Sequence, residues 1–276
     1  MKPIDSITPE ECSHLRGILF DIDDTFTLEG KIPSEAFGAL WDLHAQGFIL
    51  VPLTGRPAGW CDHMARMWPV DGVVGENGAL YYYYDRHARK LCRRYIHTPE
   101  EIARKRSELE AIRREVLRRV PGAAVSADQP FRLFDLAIDF REDVPPLSEP
   151  EIQEICRIFR EHHATYKISS IHVNGWFGEY NKLSTARLFL EERLGIPWDE
   201  AVRTFLFIGD SPNDEPMFQA MHLTVGVANI RKFAEALKYL PQYITTRSGG
   251  LGFAEMARKL IEQKGKYCAS DHCSGQ

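Results

Sequence analysis

Gly17-Ile18-Leu19-Phe20-Asp21-Ile22-Asp23-Asp24-Thr25 passes directly from an unbroken apolar run into three carboxylates. A run this short, with no polar alternation, suits a central parallel strand buried on both faces. Open α/β sheets bind ligands outside the carboxyl ends of such strands, where Asp21, Asp23 and Asp24 fall. Crowded carboxylates repel one another, so the site needs a cation. Oxygen-only donors suit Mg²⁺, which is typically held by one or two carboxylates, waters and a substrate phosphate. The plainer alternative is a solvated acidic turn.

The flanking pattern extends the strand into a sheet. A helix is predicted over Pro33–His44, with Ala36, Leu40 and Leu43 on one stripe and Gly47 as its stop. Phe48–Leu53 reads as a second strand and Pro57–Met67 as a second helix with proline at its start. Val70–Val74 reads as a third strand, ending in Gly75-Glu76-Asn77-Gly78. This alternation predicts a doubly wound parallel sheet. It resumes after Lys182. A stripe of Leu183, Ala186, Leu190 and Leu194 is followed by a strand over Thr204–Ile208 and a helix over Pro212–Met221. A strand at Leu223–Val227, a helix at Ile230–Leu240, a strand at Tyr243–Thr246 and a helix at Gly252–Gln263 complete it.

A second acidic strand end changes the weight of the first. Gly209-Asp210-Ser211-Pro212-Asn213-Asp214 has the same design, an apolar strand with acids at its tip and a helix behind. As a helix cap, Asp210 or Ser211 alone is unremarkable. Two such ends in one parallel sheet can meet around one metal. A third, Leu53-Thr54-Gly55-Arg56, puts a hydroxyl and a backbone amide near a helix start, a ready anion cradle.

Between the two stretches the pattern is different. Tyr81–Tyr84 is strand material, read as an edge strand, with a stacking platform as the alternative. Arg86–Arg119 holds twelve Lys/Arg against five Asp/Glu, a local +7. Capping boxes open helices at Thr98-Pro99-Glu100-Glu101 and Ser148-Glu149-Pro150-Glu151. Apolar stripes follow each, through Ile102, Leu109, Ile112, Val116 and Val120, and through Ile152, Ile155 and Phe159. Phe134–Phe140 and Ser170–Val173 read as strands. The mixture predicts an inserted α+β domain. Its basic helix reads first as a solvated face, and second as a surface that steers anions. His172, Asn174 and Trp176 are either fold residues or groups that reach a substrate.

The whole chain of 276 residues carries 34 Lys+Arg against 39 Asp+Glu, a net −5, and is 44% hydrophobic. That excludes collagen-like, disordered and disulfide-scaffold classes. Mild acidity argues against nucleic acid and anionic membranes as partners. No apolar run approaches the roughly 18–20 residues of a membrane span, and the acidic N-terminus does not read as a secretory signal. The expectation is a cytoplasmic protein with free thiols. Cys268 and Cys273 flank His272 without the paired spacing of a zinc site.

These motifs resemble, in order, the four of the haloacid dehalogenase superfamily of phosphotransferases. Asp21-Ile22-Asp23-Asp24-Thr25 matches the first and Thr54 the second. Lys182 is similar to the third, and Gly209–Asp214 matches the fourth. Thr54-Gly55-Arg56-Pro57, Gly75–Ala79 and the position of the insertion resemble the capped type IIB (Cof-type) branch. The resemblance implies a Rossmann-like core at 1–84 and 180–276, with a cap at 85–179. It implies a Mg²⁺-dependent phosphatase of a small phosphorylated metabolite, most simply a sugar phosphate. A phosphomutase on the same scaffold is the alternative, and a non-catalytic binding domain a distant third.

The roles implied are these. Asp21 is the nucleophile that forms an aspartyl-phosphate. Asp23 is the general acid and base, and its carbonyl joins Asp21 and Asp210 as a metal ligand. Ser211, Asn213 and Asp214 support the metal or the phosphate. Thr54 and Lys182 bind the phosphoryl oxygens. Gly55, Arg56 and Asn77 are candidates to touch substrate. The chain departs from the family at two places. Leu183 follows the lysine where glycine is common, with Lys167 as an alternative lysine. Asp24 replaces a common glycine and reads either as a turn cap or as a group that assists the metal. The partner implied is a small phosphorylated substrate; oligomeric state is not read from sequence.

Overall fold

The computed structural model describes residues 1–169 and 171–271, with side chains to residue 266. The chain divides into two compact units. One comprises Met1–Thr54, Met67–Val73 and Ala186 onward; the other comprises Gly55–Arg66 and Val74–Thr185. The second unit thus takes in more chain than the 85–179 read from pattern.

The first unit is built on a six-stranded sheet. Its order is Lys2–Pro3, Tyr243–Ile244, Leu223–Gly226, Phe205–Gly209, Gly17–Phe20, Ile49–Pro52, and every neighbouring pair runs parallel. The two strands that end in acid are therefore adjacent, with Phe20 in register with Ile208. Both are buried throughout, as their unbroken apolar runs require. Alternate residues face opposite layers. Ile18, Phe20, Leu206 and Ile208 join the core beneath the helices Ser34–Ala45 and Gly249–Asp271. Phe207 points the other way, to Phe218 of the helix Glu215–Ala220, ring centroids 5.4 Å apart. Helices on both faces make the sheet doubly wound, as expected.

The second unit holds a four-stranded antiparallel sheet, ordered Ala124–Val125, Leu136–Asp139, His172–Trp176, Thr165–Ile168. The helices Pro99–Arg119 and Glu149–Glu161 supply Leu109, Ile112, Val116, Ile155 and Phe159 to the core against one face. Both predicted capping boxes are present, at Thr98/Glu101 and Ser148/Glu151.

Several expectations are corrected. Val73–Gly75 does not extend the parallel sheet; it belongs to a three-stranded sheet with Leu80–Asp85 and Lys90–Tyr95. The tyrosine run is the middle strand there, not an edge, paired in antiparallel register with a strand whose outward residues are basic. Ile230–Leu240 is not an α-helix: only a 3-10 segment, Ala228–Phe233, forms. Pro212–Met221 is likewise a 3-10 turn at Pro212–Asp214 followed by the short helix. The strand expected at Ser170–Val173 begins at His172; Ser170 lies outside the described residues. So do the Cys268 side chain, His272 and Cys273. Among the described residues, no helix is long and apolar enough to cross a membrane.

Candidate active site

The first unit brings three acidic side chains together. Asp21, Asp210 and Asp214, all buried, each present a carboxylate oxygen within 4.8 Å of the others. Adjacent parallel strands put them there. Asp21 follows Phe20, and its backbone amide donates to the Ile208 carbonyl at 3.0 Å. Asp210 follows Gly209 one strand over. Asp214 is delivered by the 3-10 turn, whose tight pitch folds it back so that the Asp210 amide donates to its Oδ2 at 3.1 Å.

The donor set fits a hard divalent cation. Three carboxylates at this spacing bring negative charge out of water, which is costly unless balanced. The donors are all oxygen, the chemistry that Mg²⁺ accepts and a softer metal does not require.

The Asp210 carboxylate is held at both oxygens. Thr25 Oγ1 donates to Oδ1 at 3.3 Å, and Asn229 Nδ2 donates to Oδ2 at 3.1 Å. The loop after Asp21 is also fixed from within. The Thr25, Phe26 and Thr27 amides all donate to the Ile22 carbonyl. The Asp24 amide donates to Thr27 Oγ1 at 2.9 Å. Asp24 itself has φ +59°, a left-handed conformation that favours glycine or a short polar residue.

Of the residues singled out from sequence, Asp21, Asp210 and Asp214 converge. Asp23 is half-buried and lies outside the three-carboxylate group. Thr54 is fully buried, two residues beyond the strand Ile49–Pro52. Ser211 Oγ donates to Asn213 Oδ1 at 3.0 Å on the turn that carries Asp214.

Gly55, Arg56, Asn77 and Lys182 belong to the second unit. Lys182 is buried and opens the helix Lys182–Leu194; Lys167 lies in the strand Thr165–Ile168. Arg56 stacks its guanidinium 4.6 Å from the Trp60 ring centre, with Asp128 at 3.9 Å and Glu142 at 3.8 Å. The Gly55 carbonyl accepts from Arg132 Nη1 at 2.9 Å. Arg132 is buried and bridges Asp128 and Asp135. Asn174 Nδ2 donates to Asp135 Oδ2 at 3.1 Å.

Glu76, fully buried, accepts from the amides of Ala58, Leu133, Phe134 and Asp135. Burial first, and the Asp135 charge second, push its carboxyl up to about 7. In the same unit, Asn77 Nδ2, His172 Nε2, Trp176 Nε1 and Tyr180 Oη are buried without a hydrogen-bond partner. His172 Nε2 approaches Glu142 Oε2 at 2.9 Å without hydrogen-bond alignment.

Asn229 is not marked by any motif in the sequence. It lies 19 residues past Asp210, in no acidic pattern. Its one signal is position: it follows Leu223–Gly226, the strand next to the one that ends in Asp210.

Comparison with solved structures identifies the architecture. A protein of Thermoplasma acidophilum superposes with a TM-score of 0.69 at 17% identity, over 90% of this chain and 98% of its own. A haloacid dehalogenase/Cof-like hydrolase of Plasmodium vivax gives 0.65 at 15% identity, over 92% and 99%. The sucrose-phosphatase of Synechocystis, solved with sucrose and phosphate, gives 0.60 at 17% identity, over 90% and 98%.

The fold is that of the haloacid dehalogenase superfamily.

No protein-family model matches the sequence, and no curated protein is similar to it. At these identities the likeness to solved structures is one of fold. Within a haloacid dehalogenase fold, the carboxylate cluster lies at the carboxyl ends of the central strands, where open α/β sheets bind their ligands.

Proposed function

We propose that this chain is a Mg²⁺-dependent phosphatase that hydrolyses a small phosphorylated metabolite, a sugar phosphate, through an aspartyl-phosphate on Asp21. The observation that carries the reading is the meeting of Asp21, Asp210 and Asp214 within 4.8 Å at two adjacent strand ends. These residues would hold Mg²⁺, joined by the Asp23 carbonyl. The ion would offset the charge of the phosphoryl oxygens as they redistribute.

The chain's own groups account for the rest. An Asp21 oxygen attacks phosphorus, and the P–O bond to the sugar breaks. Asp23 gives its proton to the departing alkoxide. Asp23, now a carboxylate, takes a proton from water, which attacks phosphorus and releases Asp21 and free phosphate. The Thr54 hydroxyl would orient the phosphoryl group. Lys182 is proposed as its cation on the resemblance of its motif alone.

Unpartnered polar groups within the second unit are our reason for proposing a hydroxyl-rich leaving group. Asn77 Nδ2, Trp176 Nε1 and Tyr180 Oη are buried groups whose hydrogen-bonding capacity is unused. Such groups discriminate strongly in favour of ligands that satisfy them.

The test is phosphate release across a panel of phosphorylated sugars, nucleotides and glycerate derivatives. Wild-type protein with Mg²⁺ is expected to release phosphate, with sugar phosphates preferred. Asp21→Asn, and separately EDTA, are expected to abolish release. Activity that survives either change refutes the mechanism, and isomerised sugar phosphate without free phosphate makes the protein a mutase.

A further inference from the structure

We infer that Asn229 is a positioning residue that couples the metal carboxylate Asp210 to the loop carrying the acid–base residue Asp23. Its side-chain amide is used three times. Nδ2 donates to Asp210 Oδ2 at 3.1 Å and to the Asp24 backbone carbonyl at 3.0 Å, while Oδ1 accepts from the Gly249 amide at 3.0 Å. Only a primary amide supplies two donors and an acceptor on so short a stem.

The residue it reaches at Gly249 is itself constrained. Gly249 has φ +52°, and a Cβ there would stand 2.4 Å from the Thr27 carbonyl oxygen. The next amide, Gly250, donates to that same carbonyl at 3.0 Å. The start of the last helix is thereby tied to both ends of the loop, through Asn229 at Asp24 and directly at Thr27. Asn229 closes the circuit onto Asp210, whose other oxygen belongs to Thr25 of the same loop. One amide therefore fixes the rotamer of a metal carboxylate and the backbone next to Asp23. Such outer partners of a metal ligand set its orientation, and their loss typically costs about 10–100-fold in metal affinity or activity.

This inference rests on the metal reading of the site, and the experiment separates the two. Mg²⁺ alone is titrated into wild-type protein and Asn229→Ala by calorimetry, with thermal melts alongside. Asn229→Ala is expected to raise the Mg²⁺ Kd by about ten-fold. A Kd within two-fold of wild type in a folded variant overturns the role of Asn229. Wild-type protein that binds no Mg²⁺ overturns the metal reading and this inference with it.

Asn229→Asp covers the case in which the alanine variant does not fold. It keeps the acceptor for Gly249 but loses both donations from Nδ2. In metal-free hydrogen exchange, the amides of Asp24–Thr27 are expected to exchange several-fold faster while Gly249 keeps its protection. Unchanged exchange at Asp24–Thr27 overturns the coupling.

Discussion

The Asp210 amide donates to Asp214 Oδ2 at 3.1 Å, and that same oxygen lies 2.4 Å from where a Cβ at Gly209 would stand. The glycine before Asp210 is thus required by a close approach: its missing side chain is the space that Asp214 fills. Asp214 is fully buried, so its carboxylate has little room to retreat. Gly209→Ala is expected to cost about 1–3 kcal/mol of stability through overpacking. It is also expected to weaken Mg²⁺ binding about ten-fold as Asp214 is displaced. Urea melts and Mg²⁺ titration measure the two effects; a variant with wild-type values in both refutes the argument.

Asp23 and Asp24 are neighbours with separable roles. Asp23→Ala removes the proposed proton donor and is expected to lower turnover by about 10²–10⁴-fold. Asp24 sits at φ +59°. Asp24→Gly relieves a left-handed conformation worth about 1 kcal/mol, but adds about 0.5–1 kcal/mol of chain entropy to the unfolded state. The two nearly cancel, so stability and turnover are both expected to stay close to wild type. Steady-state kinetics decide: a hundred-fold loss in Asp24→Gly assigns its carboxylate to the reaction.

The pattern of strands and acids in the first unit was legible because each signal was local. An apolar run ending in carboxylates marks a central strand and its tip, and Asp21 and Asp210 stand where that logic puts them. Asn229 was not legible, because its importance comes from a contact with Asp210 across the sheet, and its own neighbours carry no signal. The third expected strand failed for a related reason. Val73–Gly75 is apolar enough for the parallel sheet, yet it pairs in a different sheet, and pairing is a long-range choice. The tyrosine run reads as an edge from sequence because the basic strand that covers it, Lys90–Tyr95, has too little apolar character to be recognised alone.

Arg132 tests what holds the second unit together. Its guanidinium is buried, donates to Asp128 Oδ1 at 2.8 Å and Asp135 Oδ1 at 3.0 Å, and reaches the Gly55 carbonyl. Burial raises the Asp135 carboxyl, with Arg132 the main opposing influence. Arg132→Met preserves much of the volume but takes from the buried Asp135 the cation that bridges it and leaves Asp128 with the more distant Arg56, 3.9 Å away. The expected loss is about 3–5 kcal/mol, read by denaturant unfolding. Replacing Asp128 and Asp135 with asparagine in the same variant should recover a large part of it, since the cost lies in the stranded charges. No recovery would place the cost in packing.

His172 makes the stability of the second unit depend on pH in one direction. Burial, and then the Arg132 charge, hold its imidazole down to about 4, against an ordinary value of 6.5. Between those values the unfolded chain binds a proton that the folded one refuses. Stability is therefore full above about pH 6.5 and falls as pH drops toward 4, by as much as about 3 kcal/mol from this group. Glu142, 2.9 Å from His172 Nε2, works in the opposite sense, because burial raises its carboxyl. The informative quantity is thus the difference between wild type and His172→Gln, which removes only the imidazole. Unfolding free energies measured from pH 4 to pH 7 should show a shallower acid slope in the variant. Equal slopes would mean that folding leaves the proton affinity of His172 unchanged, and a steeper acid slope in the variant would mean that an ion pair with Glu142 holds the proton in the folded state.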